Sequence, residues 1–261
     1  LVVVFDLGDA SLSGCRWVSD GNGSIAILTI APGSSASMGM QRERGMDLCL
    51  VLDCSGSMSG DAISQSRAAL HAVSRVLYPG DRVQVVRFGS HFERLFRRPL
   101  RASSQVSGAM TDLADLVQAD MGGTQMGAAL EAAVKDLNGL DGDVSSKVIL
   151  LVTDGAVQPE ELQRARERAT AKGIRIFVVA VGSSAGVDAL TPLAAGTGGV
   201  LERAVPTESI DAGVMRHVRR ARQAHPIEFK VNWDGPVMAS NLLGPVYQGD
   251  VSMMVASFPD Q

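Results

Sequence analysis

The chain has 261 residues, 24 basic against 28 acidic side chains and 46% hydrophobic residues, enough to bury one or two ordinary cores and too apolar for a disordered tail. Its longest apolar runs, such as Ile174 to Val181, fall well short of the roughly 18 residues that a spanning helix needs, so no membrane insertion is expected. A net charge of −4 gives no reason to expect nucleic acid or an anionic surface as a partner.

Cys15, Cys49 and Cys54 are an odd set without metal-type spacing. They fit reduced small hydrophobes better than a disulfide frame, which favours a reducing, cytoplasmic setting. The sequence begins at Leu1 and enters the apolar run Val2 to Phe5 at once, so it is expected to be a piece of a longer chain.

In chain order, Val2 to Leu7 and Ser24 to Ile30 read as short strands around the turn Gly21-Asn22-Gly23. From Asp47 the rhythm changes to strand-length apolar runs alternating with stretches of helical period. These are a strand over Leu48 to Leu52, a helix over Ala62 to Leu77, a strand over Arg82 to Phe88, and helices over Val106 to Val117 and Met126 to Leu137. Then come a strand over Val148 to Val152, a helix over Leu162 to Ala171, a strand over Ile174 to Val181 and a last helix from about Glu208 to Gln223. The runs LCLVL, VILLV and IFVVAV are apolar on both faces, as parallel strands covered by helices on both sides must be. Pro159 suits a first helical turn, and Arg216, Arg219, Arg220 and Arg222 crowd a helix C-terminus. After Pro226, short strands return at Ile227 to Trp233 and Val251 to Phe258.

Neither flank has enough strands to close a core alone. The expected organisation is therefore an α/β domain over residues 45–222, inserted in a small antiparallel β-sandwich whose first part is 1–44 and whose second part is 223–261.

The chemistry collects at two strand ends. The first strand runs into Asp53-Cys54-Ser55-Gly56-Ser57, one carboxylate and two hydroxyls on a turn that leads to a helix. The strand Val148 to Thr153 ends in Asp154-Gly155, and between them Gly122-Gly123-Thr124 offers another hydroxyl on a loop whose glycines allow close backbone approach. Open parallel sheets bind ligands beyond the carboxyl ends of their strands, where strand order reverses. Five oxygen-bearing residues converge there if the two strands are neighbours. Hydroxyls and carboxylates without His or Cys suit a hard cation such as Mg²⁺, with Ser55, Ser57 and Thr124 as neutral ligands and Asp53 and Asp154 acting largely through water or hydrogen bonds. Such a site keeps a vacant position and much positive character, which invites an outside carboxylate.

The run LCLVLDCSGSMSG, with GGT and VTDG in order behind it, closely resembles the von Willebrand factor A domain and its metal-ion-dependent adhesion site. The family's Asp-x-Ser-x-Ser falls on Asp53, Ser55 and Ser57, its threonine on Thr124 and its second aspartate on Asp154. The resemblance covers about Gly45 to Arg222. It implies a doubly wound, Rossmann-like, mostly parallel sheet with one short antiparallel edge strand, placed near His91 to Phe96. It also implies a non-enzymatic module that binds a protein partner through Mg²⁺, with Mn²⁺ or Ca²⁺ as substitutes, by capturing an Asp or Glu side chain. Affinity switching through the last helix is a further implication. The flank segments IEFKVNWDGP and LLGPVYQGD resemble, more loosely, β segments around this domain in proteins related to the inter-alpha-trypsin inhibitor heavy chains.

Other readings stand beside this one. Asp53 at the end of a first parallel strand could begin a phosphatase, but Ser55 stands where a second aspartate is needed. Gly182-Ser183-Ser184-Ala185-Gly186 fits G-x-S-x-G, with Ser184 as nucleophile and His217 or His225 as base; little sheet follows it and no oxyanion loop precedes it, so a plain loop is expected. The metal could instead only stabilise the fold. Arg94, Arg97, Arg98 and Arg101 read as a solvated edge that discourages strand addition, or as an attractor of an acidic partner.

Overall fold

A computed structural model describes residues 3–6, 10–19, 24–32, 45–142, 144, 146–155, 159–182, 186–204, 210–227, 230–233, 237–242 and 244–259. The chain opens with β1 (Val3–Asp6), β2 (Ala10–Ser19) and β3 (Ser24–Pro32). Next come β4 (Met46–Asp53), α1 (Asp61–Val76), β5 (Arg82–Phe88), β6 (Phe92–Arg94), β7 (Leu100–Arg101), α2 (Ser104–Leu116) and α3 (Met126–Asn138). These are followed by β8 (Ser146–Thr153), α4 (Pro159–Ala171), β9 (Ile174–Ala180), α5 (Val187–Gly196), β10 (Leu201–Arg203) and α6 (Ile210–Ala221). The chain closes with β11 (Lys230–Trp233), β12 (Ala239–Leu242) and β13 (Ser252–Phe258). It divides into two compact units, one made of Leu1–Met40 with His225–Gln261 and the other of Gln41–Ala224.

The larger unit holds one sheet in the order β10-β9-β8-β4-β5-β6, with β7 also on β5. The strands β10, β9, β8, β4 and β5 run parallel, whereas β6 and β7 are antiparallel to β5. The short antiparallel edge strand expected near His91 to Phe96 is thus β6. Every residue of β4 and of β9 is buried, and the pleat divides them between two helical layers. Cys49, Val51, Ile149, Leu151, Ile176 and Val178 face Ala129, Leu130, Ala133, Leu162, Leu190 and Leu193 of α3, α4 and α5. The alternate positions are covered from the opposite face by α1 and α6. Each fully buried aliphatic side chain stabilises this arrangement by roughly 1.5–3 kcal/mol.

At the end of the sheet away from Asp53, the buried Asp81 carboxylate ties the start of the unit to its finish. Oδ1 accepts Met46 N–H at 2.9 Å, Oδ2 accepts Tyr78 N–H at 2.7 Å, and the Arg222 guanidinium donates to both oxygens at 3.1 and 2.8 Å. Beside it, Arg175 donates to the α6 carbonyls of Ala221 at 2.8 Å and, just beyond the helix, Gln223 at 2.6 Å, which satisfies groups that a helix C-terminus leaves open.

The smaller unit pairs early strands with late ones. β1 lies antiparallel to β11, and a four-stranded antiparallel sheet has the order β12-β13-β3-β2. β2, β12 and β10 are elements that periodicity did not reveal. β2 (ASLSGCRWVS) is polar and carries a register shift between Leu12 and Gly14; β12 has 4 residues and β10 has 3, lengths at which pairing partners rather than local pattern decide the conformation.

Candidate metal centre

β4 and β8 are direct neighbours, with Leu52 opposite Val152, and strand order reverses between them because β5 lies on the far side of β4. Their carboxyl ends therefore form the crevice where such sheets place ligands. Asp53 closes β4 and is 0% exposed, as is the thiol residue after it. Oδ1 of Asp53 accepts Ser55 N–H at 2.9 Å, and Oδ2 accepts the Thr153 hydroxyl at 2.6 Å. Ser55 Oγ and Ser57 Oγ are 3.0 Å apart. The chain between them forms a single 3-10 turn over Gly56–Met58, pinned by the buried side chain of Met58.

The third piece, 121–125, is strapped to this turn through the backbone. Met121 N–H donates to Cys54 O at 3.0 Å and Gly56 N–H donates to Gly122 O at 2.8 Å. Ser90 holds the other side: its N–H donates to Met121 O at 2.7 Å and its Oγ accepts Gly123 N–H at 2.8 Å. Gly89 makes the approach possible, since a Cβ there would sit 2.4 Å from both Cβ and O of Met121. Thr124 is carried on this strapped loop, half-buried. Asp154, also half-buried, follows Thr153 at the end of β8. The chain then turns at Gly155 with φ +80°, where a Cβ would meet Gly186 N at 2.3 Å. Ser57 is exposed, so the constellation has a buried floor at Asp53 and Ser55 and an open rim.

Among the described residues no Lys, Arg or His pairs with Asp53. Burial pushes its carboxyl up from the ordinary value, and the nearby Asp154 adds to this, while hydrogen bonds from Ser55 and Thr153 pull it down. Burial likewise pushes the Cys54 thiol up to about 12, which keeps it protonated and unreactive. No group of three or more His, Cys, Asp or Glu is arranged to share an ion among the described residues; the donor set here is two carboxylates with three hydroxyls. The 3.0 Å between Ser55 Oγ and Ser57 Oγ is the spacing of adjacent ligands on a six-coordinate cation with bonds of about 2.1 Å. The residues therefore fit a hard divalent cation.

Thr153 and Ser90 were not singled out by the sequence reading. A threonine directly before the strand-ending aspartate was the available signal for the first; the second shows only once β5 and the 121–125 loop are side by side. The enzyme readings gain nothing from the geometry. Both oxygens of Asp53 are engaged. Ser184 lies outside the described residues. His217 is 1% exposed, with Nε2 3.1 Å from Val178 O and its ring against Phe177.

The von Willebrand factor type A domain profile matches residues 47–209, more than half of the chain. The chain belongs to the von Willebrand factor type A domain family. A von Willebrand factor A domain-containing protein of Dictyostelium discoideum is 25% identical over 214 residues, 81% of this chain and 23% of that protein. The protein mono-ADP-ribosyltransferase PARP4 of Homo sapiens is 31% identical over 157 residues, 60% of this chain and 9% of its own. Among solved structures, a von Willebrand factor type A protein from Catenulispora acidiphila superposes with a TM-score of 0.64 at 15% identity, over 97% of this chain and 65% of that one. The chain spans about a quarter of the length of the first Dictyostelium relatives, with values of 23%, 26% and 23%. Von Willebrand factor type A domains are typically protein-interaction modules. No helix among the described residues is long and apolar enough to cross a membrane.

Proposed function

We propose that this von Willebrand factor type A domain is a Mg²⁺-dependent protein-binding module in which Asp53, Ser55, Ser57, Thr124 and Asp154 hold the cation and a partner's Asp or Glu completes its coordination. The observation that carries the reading is the buried Asp53 carboxylate, which has no cationic side chain as partner among the described residues. A buried charge without counter-charge is costly, and a cation at the open rim would offset it. When bound, the ion supplies a positive centre that accepts an external carboxylate. The chain's own residues do the rest. Thr153 and Ser55 N–H fix both oxygens of Asp53, Ser55 and Ser57 present neutral oxygens side by side, and the strapped loop carries Thr124. Neutral hydroxyl ligands leave the ion's charge largely uncompensated, which favours capture of an acidic side chain over water. In the same proposal, the β segments of 1–44 and 223–261 form one small β-sandwich, and the domain at 45–222 is inserted between them along the chain.

The test is affinity capture from the source lysate with Mg²⁺ or with EDTA, using wild type and Asp53→Ala. A protein retained only by wild type with Mg²⁺ is the expected result. A retained set that ignores both EDTA and the substitution would overturn the reading. If Mg²⁺ raised the melting temperature while the retained set stayed the same, the metal would be structural.

A further inference from the structure

The sheet ends at β6 and β7 in the segment Arg97-Arg98-Pro99-Leu100-Arg101, whose three arginines are exposed. This segment is held rigidly from beneath. Leu95 N–H donates to Val85 O at 2.8 Å, the buried Gln84 side chain donates through Nε2 to Phe96 O at 3.1 Å, and Ala102 N–H donates to Asp81 O at 2.9 Å. Between these anchors Phe96 inserts into the core and Leu100–Arg101 pairs with Arg82–Val83. The backbone that carries the arginines is therefore fixed before any partner arrives.

The carboxylates along this edge are already engaged. Asp136 takes Arg94 at 2.6 Å, Glu93 takes Arg87 at 2.7 Å and His91 at 3.1 Å, and Asp47 takes Arg82 at 2.6 Å. Among the described residues Arg97, Arg98 and Arg101 have no ionic partner. Three unpaired guanidinium groups within five positions stand out on a chain whose net charge is −4.

We propose that this arginine edge docks an acidic protein segment, with Arg97, Arg98 and Arg101 receiving its carboxylates. Guanidinium forks suit carboxylates in pairs, and the same like charges reject edge-to-edge pairing with another copy of this chain. Stable attachment to an anionic membrane takes a larger basic cluster, of about four to eight residues, or exposed apolar groups beside the charges; here there are three arginines, and none of the exposed large hydrophobic residues falls between Phe92 and Arg101. Single-stranded nucleic acid would call for exposed stacking rings, whereas Phe96 is buried and Phe92 is half-buried under Arg94. The edge is also separate from the metal centre. Asp53 lies opposite Phe88 and Arg101 opposite Arg82, about 20 Å apart along β5.

Fluorescence anisotropy with a labelled short poly-glutamate peptide tests this, with a poly-glutamine peptide, phosphatidylserine vesicles and duplex DNA as comparison probes. The expected result is binding of poly-glutamate that weakens with salt and falls at least about tenfold in Arg97→Glu/Arg98→Glu/Arg101→Glu. The triple Gln variant should show a smaller loss, and the melting temperatures of both variants should match wild type. All probes are measured in EDTA, so that a carboxylate captured at the metal centre adds nothing to the signal and the arginine edge is read alone. Equal binding by the charge-reversed chain, absence of poly-glutamate binding in EDTA, or tighter binding of vesicles or DNA than of poly-glutamate would each overturn the proposal.

Discussion

Thr153 Oγ1 donates a 2.6 Å hydrogen bond to Asp53 Oδ2 from the neighbouring strand, and the same hydroxyl accepts Gly155 N–H at 3.0 Å. One side chain thus aims the carboxylate and fixes the turn that follows Asp154. Thr153→Val leaves both groups short of a partner in a buried place and should cost about 1–3 kcal/mol of stability. Thr153→Ser should recover most of it. Urea unfolding measures the cost and Mg²⁺ titration calorimetry the loss of affinity; wild-type behaviour of Thr153→Val in both would show that Asp53 is oriented by other means.

Gly89 sets the distance between β5 and the loop that carries Thr124. A Cβ there would lie 2.4 Å from Met121, so Gly89→Ala should push 121–124 outward at a cost of about 1–3 kcal/mol. Mg²⁺ affinity should fall more than for a substitution of equal cost in the core, such as Ala133→Gly on α3. Unchanged affinity would place Thr124 outside the binding set.

His217 gives the unit a pH dependence. Burial pushes its imidazole from the ordinary 6.5 down to about 4, with Arg220 and Arg216 adding to the shift and Glu202 opposing it. Between those values the unfolded chain takes up a proton that the folded chain refuses, so stability is full above 6.5, is lost as the pH falls towards 4, and changes no further below that on this account. The loss should approach about 3 kcal/mol. Melting curves from neutral pH down to about 4 should be flatter for His217→Gln than for wild type; parallel curves would assign the acid sensitivity elsewhere.

Arg222 neutralises the fully buried Asp81 and lies 3.9 Å over the Tyr78 ring. Arg222→Ala should destabilise the unit by about 3 kcal/mol, because a carboxylate stays buried without its cation. Asp81→Asn combined with Arg222→Ala should be less damaging than the single change, and a double-mutant cycle that finds the two effects additive would refute the coupling.

Much of this was legible in the residues because β4, β8 and β9 are buried on both faces and so read as continuous apolar runs, and because Asp53, Ser55, Ser57, Thr124 and Asp154 sit in three short motifs with a fixed order. The unread parts depend on contacts between distant segments. β10 exists because Leu201 meets Val178, β2 and β12 because β3 and β13 offer them edges, and Ser90 matters only where Gly123 comes within 2.8 Å. β10 and β12 are too short to leave a periodic trace, and in β2 the polar residues and the register shift after Leu12 blur one.

The Asp81 carboxylate, where Met46 N–H and the Arg222 guanidinium meet, has a mechanical meaning. Tension entering by one chain connection and leaving by the other is short-circuited there: it loads a pair of hydrogen-bonded neighbours at the rear of the sheet. The crevice at Asp53 lies at the opposite end of the sheet, outside that path, so strain at the two chain ends need not pass through the turn that carries Asp53.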